Sequence, residues 1–186
     1  KYNMNNAYQI IFISLFLLSS SLSGQDLYKV TQSSIKFTSD APLEMIQAKS
    51  NEAEGIIKSL DKSFVFRVPM KTFEGFNSSL QKSHFNTNYL ETNKYPYTIF
   101  EGKIIEDISL YSPGTYNVRG KGKFICHGIE QERIIKCKLI VKPNKLIVES
   151  DFTVFLEDHD IEIPTVVYQK IAEEIMVDIK IELQPK

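Results

Sequence analysis

Apolar and polar residues alternate along most of this chain with a period of two. Residues 175–183 show it without a fault: Ile175, Val177, Ile179, Ile181 and Leu183 fall on one side, Met176, Asp178, Lys180 and Glu182 on the other. One aliphatic face and one wet face mark a strand with a single buried side. The same reading predicts strands at 34–39 (Ile35 and Phe37 inward), 43–48, 55–60 (Ile56, Lys58 and Leu60 in one row) and 63–70 (Phe64, Phe66, Val68 and Met70 inward). Further strands are expected at 97–105, 115–127, 133–141 and 145–155, the last with Phe152 and Val154 inward. Helical spacing is confined to two stretches. Phe76, Leu80 and His84 fall at i, i+4 and i+8, and a short helix is expected to open at Pro164 and run through Val167 and Ile171. Many strands with one apolar side each must hide those sides together, in a sandwich or a closed barrel. A barrel of this kind is either filled by its own side chains or hollow enough to enclose one apolar ligand.

Residues 1–24 obey other rules. The uninterrupted apolar run IIFISLFLL, from Ile10 to Leu18, is followed by Ser19-Ser20-Ser21-Leu22-Ser23-Gly24. This matches the apolar region and small-residue cleavage zone of a secretory signal and is too short to span a bilayer. The reading predicts export, with residues 25–186 as a single mature domain in the periplasm or outside the cell. Only Lys1 of the 22 basic residues lies in the leader, which leaves 21 against 23 acidic. That balance argues against a nucleic-acid partner, which needs a concentrated positive surface. Cys126 and Cys137 fall on consecutive strands of a hairpin with Gly128 near its tip. They face each other only across a turn centred on Gln131-Glu132, which offers no residue suited to positive φ. A turn nearer Gly128 staggers the sulfurs out of reach, so two buried free thiols are expected rather than a disulfide.

A longer pattern emerges from the middle of the chain. Phe73-x-x-Phe76-x-x-x-Leu80-x-x-x-His84-Phe85-Asn86 is followed by Asn88-Tyr89-Leu90-Glu91-Thr92, by Lys94-Tyr95-Pro96 and by Phe100-x-Gly102-x-Ile104. Gly120-Lys121-Gly122, His127-Gly128-Ile129, and Asp160-Ile161-Glu162-Ile163-Pro164 before Lys170-Ile171-Ala172 continue it. In this order and spacing, over roughly the whole mature chain, the pieces resemble the YceI-like family, and in particular its short exported members from Bacteroidetes-type bacteria. The resemblance implies an all-β fold with one or two short helices, an eight-stranded antiparallel lipocalin-like β-barrel in the periplasm. It further implies an elongated cavity for long apolar molecules such as polyisoprenoids or isoprenoid quinones, held as guests; no cofactor is expected. It carries over no catalytic constellation.

The inward rows and the helical stripe nominate Ile35, Phe37, Phe64, Phe66, Val68, Phe76, Leu80, Phe124, Leu139, Phe152, Val154, Val177 and Ile179 as the wall of a lipid tunnel. Each is equally suited to plain core, because both roles want the same chemistry. Three features favour a hollow interior. The chain exceeds what a minimal filled barrel needs, Gly120 and Gly122 fall inward and remove bulk where a neighbour or ligand approaches, and the stripe at Phe76, Leu80 and His84 is placed to close one mouth. An apolar guest of roughly thirty heavy atoms, at about 0.3 kcal/mol per atom, would gain near 9 kcal/mol, a sub-micromolar affinity without any polar contact.

Other candidates have simpler readings. Lys58 is the oddest inward residue and reads better as a rim lysine snorkelling outward. His84 has no nucleophile or carboxylate near it in sequence, and His127 reads as a turn residue. Asp158-His159-Asp160 offers three metal-ligand types, but neighbours along a strand point to opposite sides and the usual ligand spacings are absent. No Gly-rich phosphate loop, G-x-S-x-G elbow or C-x-x-C pair occurs. Arg119, Lys121 and Lys123 face outward opposite Lys136 and Lys138, which would suit transient contact with an anionic membrane surface. A solvated face neutralised by Glu130, Glu132 and Glu149 is the preferred reading. The rivals to a lipid carrier are a packed barrel acting through its surface and an enzyme built on His84 and Lys58. A homodimer through a hairpin edge or the lid stays open.

Overall fold

The computed structural model describes residues 27–186, so the expected leader lies outside the described residues. Alternation becomes nine strands: β1 (Leu27–Ala41), β2 (Glu44–Ser50), β3 (Glu54–Lys58), β4 (Ser63–Pro69), β5 (Tyr97–Ile104), β6 (Gly114–Cys126), β7 (Ile129–Lys142), β8 (Lys145–Phe155) and β9 (Glu174–Pro185). From β3 to β9 each strand pairs antiparallel with the next, and β9 returns to pair with β1. β2 and β3 lie along the same side of β1 in one continuous register, from Ala41↔Glu44 to Leu27↔Lys58. They are two halves of one strand, so the sheet closes as an eight-stranded antiparallel barrel, as expected.

The break within that strand overturns one expected row. Inward positions are even in β2, where Ile46, Ala48 and Ser50 are buried, and odd beyond it, where Ala53, Ile57 and Ser59 are buried. At the same level β1 shifts its register against β9 between Val30 and Gln32. The row Ile56, Lys58, Leu60 therefore does not turn inward: Lys58 is exposed and Leu60 is 74% exposed. Because the side-chain period is two, one extra residue sends every following side chain to the other face.

The β6–β7 hairpin turns on His127 (φ 50°) and Gly128 (φ 78°), two successive left-handed residues as a type I′ turn requires. Cys126 consequently pairs with Ile129, and Cys137 sits far down the ladder opposite Val118. Both thiols are free.

Two long connections gather at one end of the barrel. Between β4 and β5 runs helix α1 (Ser79–His84), which continues as a π-turn over Phe85–Tyr89. Ser78 caps α1, its hydroxyl accepting from the Gln81 N–H at 3.1 Å. Phe76 precedes the helix and does not lie on it. Between β8 and β9 the helix expected from Pro164 is replaced by two 3₁₀ turns, Glu157–His159 and Thr165–Val167. Pro164 caps the second turn, whose Val166 is 89% exposed. Three residues cannot build the stripe through Ile171 that a longer helix would need. Among the described residues no helix is long and apolar enough to cross a membrane.

The opposite end is plugged. Leu110, from the β5–β6 connection, is buried with Tyr28, Val141, Leu146 and Leu183, close to where β1 begins and β9 ends.

Candidate functional site

Beyond that plug the barrel is hollow, with a cavity of about 560 Å³. Every one of the thirteen nominated residues borders it: Ile35 and Phe37 from β1, Phe64, Phe66 and Val68 from β4, Phe124 from β6, Leu139 from β7, Phe152 and Val154 from β8, Val177 and Ile179 from β9, and Phe76 and Leu80 from the lid. Leu80 is 63% exposed and stands at the rim, as does the exposed His84.

Two aromatic clusters stiffen the wall. At the mouth Phe37 lies 5.4 Å from Phe73 and 5.4 Å from Phe85, the latter nearly parallel, and Phe76 lies 5.1 Å from Phe85. Deeper, Phe64 meets Phe100 at 5.0 Å, and Phe124 meets Phe152 edge-on at 6.0 Å. Ring pairs of this kind are worth about 0.5–1.5 kcal/mol each beyond the area they bury. Phe73, Phe85 and Phe100 were not among the nominated residues. Phe100 was within reach, since it alternates with Gly102 and Ile104 along β5. Phe85 was not, because the π-turn that aims it inward breaks helical spacing.

The glycines hold open less space than expected. A Cβ on Gly120 would lie 3.0 Å from the Phe64 ring, and one on Gly122 would lie 1.9 Å from the Glu101 carbonyl oxygen. The room they free is taken by neighbours: aromatic rings in one case, the β5 backbone in the other.

Polar contacts tie the segments around the mouth together. Gln81 Nε2 donates to Glu44 Oε1 at 3.0 Å, and Asn77 Nδ2 donates to the same oxygen at 3.2 Å and to the Met45 carbonyl at 3.0 Å, tying the lid to β2. Ala172 N–H donates to Ser39 Oγ at 2.8 Å, anchoring the β8–β9 connection to β1. His127 does more than turn the hairpin. Its Nδ1 lies 2.9 Å from the His159 carbonyl oxygen and its Nε2 2.9 Å from Glu91 Oε2, joining hairpin tip, β8–β9 connection and lid.

His159 is fully buried, its ring edge-on to Phe124 at 5.4 Å. Burial pushes its pKa down and the Arg133 charge adds to this, while the Ile129 and Cys126 carbonyls and Asp158 oppose it. Those carbonyls face the ring without a well-formed hydrogen bond to either nitrogen. Asp158 and Asp160 are exposed on a 3₁₀ turn, so the three residues do not converge. Cys126 and Cys137 both border the cavity. Burial pushes both thiols up, Cys137 to about 11, so each stays protonated near neutral pH. Lys58 lies outside the wall and cannot meet His84 across the cavity.

On the outer face Arg119 stands directly opposite Lys136, but most of the patch is paired. Arg119 Nε reaches Glu106 at 2.8 Å, Lys123 reaches Glu130 at 2.9 Å and Lys138 reaches Glu149 at 3.2 Å.

Residues 28–183 match the family model described as the YceI-like domain. No curated protein matches the chain. Among solved structures, a polyisoprenoid binding domain from Saccharophagus degradans implicated in plant cell wall breakdown is similar with a TM-score of 0.71 at 11% identity, over 87% of this chain and 99% of that one. Burkholderia cenocepacia BcnA is similar with a TM-score of 0.66 at 11% identity, over 81% and 95%. The Campylobacter jejuni YCEI protein gives 0.55 at 12% identity, over 89% and 88%. At these identities the likeness shows a shared fold.

Proposed function

This chain belongs to the YceI-like family, and from that premise we propose that it is an exported binding protein that holds or carries a long apolar molecule inside its barrel. The guest we infer is of the polyisoprenoid or isoprenoid-quinone type, and the compartment is the periplasm or beyond. The observation that carries the reading is the cavity itself: about 560 Å³, walled by aliphatic and aromatic side chains, plugged at one end and lidded at the other. Ligand sites of small molecules fall in the range of about 300–1,000 Å³ and are mostly apolar. The thirteen residues above act as the binding wall. The Saccharophagus degradans domain, described as polyisoprenoid binding, adds support by fold. Export rests on the leader pattern at 10–24. The protein works by holding its guest, without chemical change to it.

Native mass spectrometry of protein purified from an exporting host without detergent, followed by organic extraction, tests this. A stoichiometric adduct that extracts as an isoprenoid or long-chain lipid is expected. A clean apo mass that persists after incubation with quinones and polyprenols would refute the carrier and favour a protein working through its surface.

A further inference from the structure

The backbone ladder between β7 and β8 stops halfway. It runs from Lys142↔Lys145 to Lys138↔Glu149. Beyond that rung β7 continues to Ile129 with β6 as its partner, and β8 continues to Phe155 with β9. Among the described residues no backbone pairing joins these two upper halves. Three side chains reach across instead. Ser150 Oγ donates to the Lys136 carbonyl at 2.7 Å, Arg133 Nη2 to the Thr153 carbonyl at 2.6 Å, and Gln131 Nε2 to the Asp158 carbonyl at 2.9 Å.

The wall is thin along this seam. Inward side chains of an intact sheet do not reach its outer face, because successive residues point to opposite sides. Here Cys137 and Ser150, on the two sides of the seam, border both the inner cavity and a groove on the outside of the barrel.

Building on the carrier reading, we propose that the β7–β8 seam is a side port through which the apolar guest passes between cavity and surroundings without displacing the lid. Opening the mouth would break a four-ring aromatic cluster, the bonds from Asn77 and Gln81 to β2, and the paired backbone bonds between Lys49 and Glu74. Opening the seam breaks the three side-chain hydrogen bonds across it, and at its upper end the contact of His127 with the His159 carbonyl, but no ladder. Elements that open to let a ligand pass are drawn from the least stable parts of a fold.

The seam supplies its own test. Ser150 is the residue that would face Cys137 if the ladder ran one rung further, and the bond from Ser150 to Lys136 shows that the strands still approach there. In Ser150→Cys an oxidant should therefore join position 150 to Cys137 and lock the port. The readout is transfer of retinol from loaded protein to phosphatidylcholine vesicles, followed by retinol fluorescence. Oxidised Ser150→Cys is expected to release retinol about tenfold more slowly than the same protein reduced, with wild type indifferent to the oxidant. Arg133→Ala, which removes one stitch, is expected to release it faster than wild type. Equal rates with the cross-link verified by mass would overturn the port, as would a cross-link that never forms. Slowing seen only when Glu44→Cys is joined to Gln81→Cys would move the traffic to the mouth. Failure of wild type to take up retinol, a result seen before any cross-link, would sink the carrier reading and the port with it.

Discussion

Val177→Phe separates a hollow barrel from a filled one by the sign of its effect. Val177 sits in register between Phe37 on β1 and Phe152 on β8 and borders the cavity. In a filled core the larger ring would overpack, which costs about 1–3 kcal/mol. In this barrel the ring has a void to enter. If it removes about 40 Å² more apolar surface from water than valine does, at about 25 cal/mol per Å² the gain is about 1 kcal/mol. Urea unfolding of ligand-free protein, followed by far-UV circular dichroism, reads the difference as a shifted midpoint at unchanged slope. The variant is expected to be the more stable of the two and the weaker retinol binder, since its ring occupies space the guest would use. A loss of more than about 1 kcal/mol would show that the interior closes in solution, and the reasoning from the cavity would fail.

The two halves of the barrel should respond differently to truncation. Leu146 is fully buried in the plug and does not border the cavity, so Leu146→Ala is expected to cost about 2–5 kcal/mol in urea unfolding while leaving retinol affinity of the folded protein unchanged. A Cβ on Gly122 would meet the Glu101 carbonyl oxygen at 1.9 Å, so Gly122→Ala is expected to cost more than about 3 kcal/mol; a loss below about 1 kcal/mol would mean that β5 and β6 do not approach so closely. The buried His159 has its folded pKa lowered by desolvation, so the unfolded chain binds a proton that the native ring resists. Its contribution is fully present above the ordinary histidine range and is lost as pH falls through that range toward the lowered folded value. Between about pH 8 and about pH 5 wild type should therefore lose more stability than His159→Leu, and parallel profiles for the two would contradict the assignment.

Much of the site was legible because a barrel wall repeats one local rule. Where alternation ran unbroken, as in β6 and β9, reading one inward residue located its whole row, and Cys126 and Cys137 were correctly kept apart by the turn chemistry of Gly128. The rule failed where the chain breaks phase. Alternation puts the row Ile56, Lys58, Leu60 inward because nothing at 51–53 announces that β2 resumes as β3 with the opposite parity; the outward reading of Lys58 itself agrees with its exposure. That change of parity is set by its match to the bulge in β1, a partner distant in sequence. The inward aim of Phe85 and the burial of His159 are out of reach of the pattern for a related reason. Each is aimed by an irregular turn whose geometry is decided by what it packs against.

The chain by itself determined that many one-sided strands must close on each other, since exposed apolar faces cost free energy whatever their partners, and its ordered motifs determined the family. Whether the closed space would be empty was decided only in three dimensions. The same apolar residues serve a filled core and a cavity wall equally well. What distinguishes them is where Leu110 lands to plug one end, how Phe73 and Phe85 roof the other, and where the β7–β8 ladder runs out. Those are properties of strand tilt and register across the whole ring, which no local pattern encodes.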